Sequence, residues 1–218
     1  MKIEAVVLET GPHPAATVIW LHGLGADAHD FEPIVPELGL PDSRPVRFIF
    51  PNAPERPVTI NNGMAMRAWY DILQMGGGAE DEAGIRESQA LVEALVTGEV
   101  NRGIAHDKIA LAGFSQGGAV VLQTALRQPK RLAGVLALST YLPLAPKLAG
   151  ERHNANHQLP IFMAHGDYDN MIDMGRALIS RNALQQLGYA VDWHAYPMAH
   201  SVCPEEVADI SAFLLRIL

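Results

Sequence analysis

Unbroken apolar runs of four to eight residues recur along the chain and predict strands buried on both faces. Between them lie segments with helical amphipathic spacing, bounded by glycine or proline. The predicted strands are residues 5–8, 17–21, 46–50, 108–112, 132–139, 159–164 and 191–196, and the predicted helices are residues 31–38, 80–98, 117–128, 175–187 and 204–217. This alternation indicates an α/β fold with a mostly parallel central sheet and helices on both faces.

Length and composition narrow the class of protein. A chain of 218 residues predicts one domain, residues 1–218, and 49% hydrophobic with 18% charged residues is typical of a globular protein. The net charge of −8 and the scattered Lys and Arg residues argue against a nucleic-acid partner. Cys203 is the only cysteine, which excludes a disulfide framework. With no signal-peptide pattern and no apolar run long enough for stable membrane insertion, we expect a cytoplasmic protein.

One predicted strand and the next helix meet at residues 113–117, which read G-F-S-Q-G and match the G-x-S-x-G pattern of a nucleophile elbow. Glycines two positions before and after the serine let strand and helix approach closely, and the hydroxyl then projects above the sheet. The pattern alone is common by chance, but here a strand precedes it and a helix follows. We therefore predict that Ser115 is the nucleophile of an acyl-transfer enzyme.

A glycine-broken loop, His22-Gly-Leu-Gly25, follows the strand predicted at residues 17–21. Backbone N–H groups exposed in such a loop can stabilise the oxyanion of a tetrahedral intermediate. By itself the pattern is equally well explained by a plain turn. The elbow downstream favours an oxyanion loop.

A serine nucleophile needs a histidine base and a carboxylate that orients it, and in α/β-hydrolases these follow in the order serine, acid, histidine. Among nine histidines, His200 lies in the loop between the last strand and the last helix, and we predict it as the base. His194 lies inside a strand. We interpret His22 and His165 as structural residues of turns.

Three aspartates compete for the role of the acid: Asp167, Asp169 and Asp173. Asp167 can form a local turn bond and Asp173 can cap the following helix, so the residues alone leave the choice open. The pair His153 and His157 has metal-ligand spacing but lies on a polar stretch. We interpret that pair as surface residues and predict no metal site.

The segment between residues 61 and 78 shows no regular period, although it carries many large apolar side chains. Long loops of this kind are often functional, and methionines suit an adaptable apolar pocket. We predict a wall that binds the acyl chain, with Trp69, Tyr70, Leu73 and Met75 as contacts. The alternative is that these side chains only cap the core. Residues 51–57, with three prolines, are predicted to form an irregular loop.

Seven motifs occur in order along nearly the whole chain: LHGLG at residues 21–25, PNAP at 51–54, AWYD at 68–71, GFSQGG at 113–118, LSTYLP at 138–143, HGDYD at 165–169 and HSVC at 200–203. Together they resemble the phospholipase/carboxylesterase family of α/β-hydrolases, which includes acyl-protein thioesterases and small bacterial carboxylesterases. The resemblance implies the α/β-hydrolase fold and catalysis without a cofactor. It also implies Ser115 as nucleophile, Asp169 as acid, His200 as base, and the backbone N–H groups of Leu24 and Gln116 as oxyanion donors.

The resemblance also implies the class of reaction. Residues 26–29 are closer to bacterial members, which favours a serine carboxylesterase acting on a small-molecule ester. The alternative is an acyl-protein thioesterase or lysophospholipase acting on long acyl chains, and a remote one is a noncatalytic binding module on a hydrolase scaffold. A homodimer is plausible for the family.

Overall fold

The computed structural model describes residues 3–74, 76 and 78–218. Within these residues the strands are β1 Ala5–Glu9, β2 Ala16–Leu21, β3 Val46–Pro51, β4 Glu55–Val58, β5 Met64–Arg67, β6 Ile109–Phe114, β7 Gly134–Leu138, β8 Ile161–Gly166 and β9 Val191–Tyr196. The helices are α1 Ile34–Glu37, α2 Glu82–Asn101, α3 Gln116–Ala125, α4 Ala145–Glu151, α5 Met174–Gln186 and α6 Pro204–Ile217. None of the described helices combines the length and the hydrophobicity that crossing a membrane requires.

Seven strands form one sheet in the order β1-β3-β2-β6-β7-β8-β9. The edge strand β1 pairs antiparallel with β3, and every other neighbouring pair is parallel. This is the mostly parallel sheet that the sequence predicts, and it is the sheet of an α/β-hydrolase. The parallel strands β2, β6, β8 and β9 end at the same edge, so the loops that follow them meet there.

Alternate residues of the strands enter two separate cores, which explains the unbroken apolar runs. On one face the strands pack against α2, α3 and α5, with side chains such as Val92, Leu122 and Leu184. On the other face they pack against α1 and α6, with side chains such as Val35 and Phe213. Helices therefore cover both faces, as predicted.

Two elements differ from the prediction. The expected irregular loop at residues 51–57 instead contains β4, which pairs with β5 in a two-stranded antiparallel ribbon. Pro57 is compatible with this ribbon because each strand has one unpaired side, where proline's missing N–H has no ladder partner to lose. Helix α4 was not predicted, since its seven residues bury only Leu148 and leave little apolar periodicity to recognise.

One buried carboxyl group makes folding stability depend on pH. Glu206 lies in the first turn of α6, its side chain is inaccessible to solvent, and neither carboxyl oxygen has a hydrogen-bond partner among the described residues. Burial, reinforced by the nearby charge of Asp209, raises the pKa of Glu206 to about 8. The folded protein therefore holds this proton at pH values where the unfolded chain has released it.

We expect the free energy of unfolding to fall as pH rises from about 5 to 8. The pKa of Glu206 in the folded protein lies above its unfolded value of about 4.3. Its contribution to the free energy of unfolding is therefore fully present below about pH 4.3, and it is lost as the pH rises from there to the folded pKa. Each pH unit within this window costs on the order of 1 kcal/mol. Urea unfolding at several pH values should show this slope in the native chain and a flatter one in Glu206→Gln. The exposed neighbour Glu205 provides the control Glu205→Gln, and equal slopes in all three proteins would contradict the expectation.

Candidate active site

Ser115 lies on a sharp turn between β6 and α3. Its φ of 54° and ψ of −118° are unusual for a residue with a side chain. The turn is held by its backbone: the N–H of Ser115 donates to the carbonyl of Leu138 at 2.8 Å, and the Thr140 hydroxyl donates to the carbonyl of Ser115 at 2.6 Å. The Ser115 hydroxyl does not cap α3, so it stays available to the space above the sheet.

The glycines of the elbow allow the close approach that the sequence pattern predicts. A Cβ atom on Gly117 would lie 2.5 Å from the carbonyl oxygen of Leu21 and 2.6 Å from that of His22. Both atoms belong to the backbone and cannot move aside cheaply. Only glycine fits here, because the start of α3 crosses directly over the end of β2.

Asp169 and His200 are joined across two loops. The Nδ1–H of His200, which follows β9, donates to Oδ2 of Asp169 at 2.7 Å. The other carboxyl oxygen of Asp169 accepts from the backbone N–H groups of Met171 and Ile172 at 2.8 and 2.9 Å. This arrangement leaves Nε2 of His200 free to act as a base, and the His200 ring packs against Phe114, the residue before Ser115, with 4.7 Å between centroids.

The surroundings of Asp169 keep it ionised. Burial alone would raise its pKa, but the hydrogen bonds from His200, Ile172 and Met171 outweigh burial, so the pKa of Asp169 lies below its ordinary value. The competing aspartates have other positions. Asp167 is exposed, and the Asp173 side chain accepts from the N–H of Gly175 and caps α5, the structural use that the sequence suggested for it.

Two backbone N–H groups beside the cavity of Ser115 have no hydrogen-bond partner among the described residues. They belong to Leu24 and Gln116, which both line this cavity. An oxyanion hole needs this kind of preorganised, unpaired donor. The loop of Leu24 is held against the end of β5, because the N–H of Gly25 donates to the carbonyl of Arg67 at 2.9 Å.

His22 and Gln116 fix the loop at residues 22–25 and the cavity wall through hydrogen bonds to neighbouring loops. The His22 ring donates from Nδ1 to its neighbouring carbonyl at Gly23 and accepts at Nε2 from the N–H of Ala53, and burial lowers its pKa and favours this neutral form. The side chain of Gln116 accepts from the N–H of Trp69 and donates to the carbonyl of Tyr70. Both residues therefore support the site instead of reacting in it.

The cavity next to Ser115 has a volume of about 230 Å³. Besides the elbow and His200, its walls are mainly apolar or aromatic, and they come from the loops after β4, β5, β7 and β8 and from the start of α5. These wall residues are Ile60, Tyr70, Ile72, Tyr141, Met171, Ile172 and Arg176. The arrangement can hold an acyl group with its carbonyl carbon at Ser115.

The structure agrees with only some of the substrate contacts predicted from the sequence. Tyr70 lines the Ser115 cavity, as expected. Trp69 is wrong as a contact: it is fully buried, and its indole N–H donates to the carbonyl of His22 at 2.9 Å, behind the oxyanion loop. Leu73 lines a small adjoining cavity that does not include Ser115. Met75 lies outside the described residues.

Sequence reasoning missed several cavity residues, among them Tyr141, Met171 and Arg176. Tyr141 and Met171 each follow a predicted strand at the carboxyl edge of the sheet, and this position was the available signal, whereas Arg176 lies in a predicted helix. His194, set aside as a base, contacts Asp192 and Asp209 and does not line the cavity. The described residues contain no group of three or more His, Cys, Asp or Glu side chains arranged to hold a metal ion.

Comparison with known proteins agrees with this geometry. A family model described as phospholipase/carboxylesterase matches residues 1–218. The chain is 41% identical to acyl-protein thioesterase 1 of Mycosarcoma maydis over 235 aligned positions, covering 100% of this chain and 98% of the relative. It is 43% identical to acyl-protein thioesterase 1 of Neurospora crassa, covering 93% and 87%. Among solved structures, acyl-protein thioesterase 2 of Zea mays is similar with a TM-score of 0.85 at 26% identity, covering 99% of both chains.

Proposed function

Because this chain belongs to the phospholipase/carboxylesterase family and is a serine hydrolase, we propose that it hydrolyses acyl thioesters, as the names of its relatives suggest for them. The observation that carries the proposal is the hydrogen bond between His200 and Asp169 beside the cavity that holds Ser115 and two unpaired N–H groups. The relatives favour the thioesterase alternative over the general carboxylesterase expected from residues 26–29. The noncatalytic alternative has no support.

In this proposal the reaction has two halves. His200 accepts the hydroxyl proton at Nε2 while Ser115 attacks the thioester carbonyl, and the N–H groups of Leu24 and Gln116 stabilise the oxyanion. The thiol leaves with the proton from His200. Water, activated by His200 in turn, then releases the carboxylic acid and restores Ser115.

The size of the cavity limits the length of acyl chain that it can enclose. At roughly 30 Å³ for each water-sized group, 230 Å³ holds roughly eight such groups. A medium-length acyl chain therefore fills the space, and a longer chain has to extend beyond it. The homodimer, the cytoplasmic location and the single domain remain predictions.

The test compares an S-octanoyl cysteine peptide with the matched O-octanoyl serine peptide. The ratio of the two rates of hydrolysis by hydroxide measures how much more reactive the thioester is by itself. We expect the ratio of kcat/KM for the thioester to kcat/KM for the ester to exceed this hydroxide ratio. A ratio below the hydroxide ratio would contradict thioester preference and leave a serine esterase. Absence of hydrolysis of both substrates would contradict the proposed site itself.

A further inference from the structure

One cation lies in the wall of the Ser115 cavity away from the reacting groups. Arg176, in the first turn of α5, is the only Lys or Arg among the described residues that line this cavity. Arg176 and Tyr141 also line two adjoining cavities. Ser115, Gln116 and His200 line neither of these. Arg176 therefore marks the far end of the Ser115 cavity.

The guanidinium of Arg176 has no carboxylate partner. Its central carbon lies 3.3 Å from the centroid of the Tyr141 ring, and apart from Tyr141 it has no hydrogen bond or ion pair with a described residue. Stacking occupies the flat face of a guanidinium and leaves the N–H groups at its edge able to donate. Four carboxylates share these spaces, Asp30 in the Ser115 cavity and Asp71, Glu80 and Asp81 in the adjoining ones, but none of them forms an ion pair with Arg176.

The tyrosines beside Arg176 hold each other in place. The hydroxyl oxygens of Tyr70 and Tyr141 are 2.7 Å apart in a hydrogen bond, and burial raises the pKa of both groups, so they remain neutral. They form a rigid, uncharged support for the guanidinium. The positive charge at this end of the cavity is then not offset by a tyrosinate.

The position of Arg176 separates it from the leaving group. A leaving thiol must depart next to His200, which protonates it, so the acyl chain occupies the other part of the cavity. His200 lines only the Ser115 cavity, whereas Arg176 borders the spaces beyond it. The group that meets Arg176 is therefore the far end of the acyl chain.

An alkyl end and an anionic end would interact very differently with Arg176. A methyl terminus would remove water from the guanidinium and offer no hydrogen bond in return, which is unfavourable. A carboxylate would accept two parallel N–H bonds and neutralise the charge.

We propose that Arg176 binds a terminal carboxylate of the acyl group, so that the preferred substrates are medium-length ω-carboxyacyl thioesters. The inference rests on the proposed function and specifies its substrate class. Hydrolysis of such a thioester consumes one water and yields a dicarboxylic acid and a free thiol. The dicarboxylate end is recognised by Arg176 and takes no part in bond cleavage.

The test uses three thioesters of one thiol: the adipoyl thioester with its free carboxylate, its neutral terminal amide, and the heptanoyl thioester. The amide has nearly the shape of the acid and lacks its charge. We expect kcat/KM for the acid to exceed that for the amide by roughly ten- to a hundredfold, since hydrogen bonds to charged groups are worth this much. Arg176→Met should abolish the preference, and Arg176→Lys should retain part of it.

A matched control comes from the same helix. Arg181 stacks on Trp193 with 5.2 Å to the ring centroid and does not line the cavity, so Arg181→Met should keep the full preference. Equal rates for acid and amide in the native chain, or an unchanged ratio in Arg176→Met, would overturn the inference. If the inference fails but the native chain still hydrolyses the two neutral thioesters, the proposed thioesterase function stands. If none of the three thioesters is cleaved, the proposed thioesterase function is contradicted as well.

Discussion

Replacing Ser115 with alanine should lower kcat for thioesters and esters by roughly a millionfold, to the rate of an enzyme without a nucleophile. The hydroxyl is the only group at the elbow that can form the acyl-enzyme, and alanine keeps the Cβ atom and the hydrogen bonds of the turn backbone. Steady-state kinetics with a chromogenic thioester measures the loss. The melting temperature should stay close to that of the native chain, since the hydroxyl does not cap α3.

Ser139 provides a matched control for this substitution. Like Ser115, it directly follows a strand and has a positive φ, here 46°. Unlike Ser115, it is fully buried and does not line the cavity, and its hydroxyl has no hydrogen-bond partner among the described residues. Ser139→Ala should keep nearly full activity and leave stability equal or slightly higher. Comparable activity of Ser115→Ala and Ser139→Ala would refute the assignment of the nucleophile.

Replacing Asp169 with asparagine should lower kcat by about ten-thousandfold and preserve the fold. The asparagine oxygen can still accept from the N–H groups of Met171 and Ile172, but its amide then donates to Nδ1 of His200. His200 would then carry its proton on Nε2 and could not accept the hydroxyl proton of Ser115. Kinetics above pH 7 measures the loss, because the low pKa of Asp169 keeps the native carboxylate ionised there.

Asp167→Asn serves as the control for the acid. The Asp167 side chain is exposed, and we expect at most a twofold change in kcat. If Asp167→Asn were the more damaging of the two substitutions, the acid would be misassigned.

The sequence predicted the sheet well because its strands are buried on both faces. Residues of β7, such as Val135 and Leu136, enter opposite cores, so the strand appears as one continuous apolar run. The elbow was predictable because backbone contacts within the turn and with the end of β2 require its glycines, which leave a short pattern in the sequence. These features depend on neighbours in the chain or on the sheet as a whole.

The contacts of the cavity wall were harder to predict. An apolar side chain in an irregular loop can face the core or the substrate, and the path of the loop decides between them. Trp69 and Tyr70 are adjacent, yet Trp69 is buried beneath the oxyanion loop and Tyr70 lines the cavity. No periodicity distinguishes two such positions.

The choice of the acid shows the same limit. Asp167, Asp169 and Asp173 lie within seven positions on one loop, and only the folded loop turns Asp169 inward, where two backbone N–H groups and His200 meet its carboxylate. The family resemblance supplied this choice. Arg176 escaped notice because one arginine in a helix is ordinarily a solvent-exposed residue.

The most direct test of the central claim is to locate the acyl-enzyme. The chain is mixed with excess octanoyl thioester, quenched with acid within milliseconds, digested and analysed by tandem mass spectrometry. We expect one octanoyl group on the peptide that carries Ser115, with the modification assigned to that serine and absent from Ser115→Ala. An octanoyl group on Cys203, close in sequence to His200, or full turnover by Ser115→Ala without any adduct, would contradict the account.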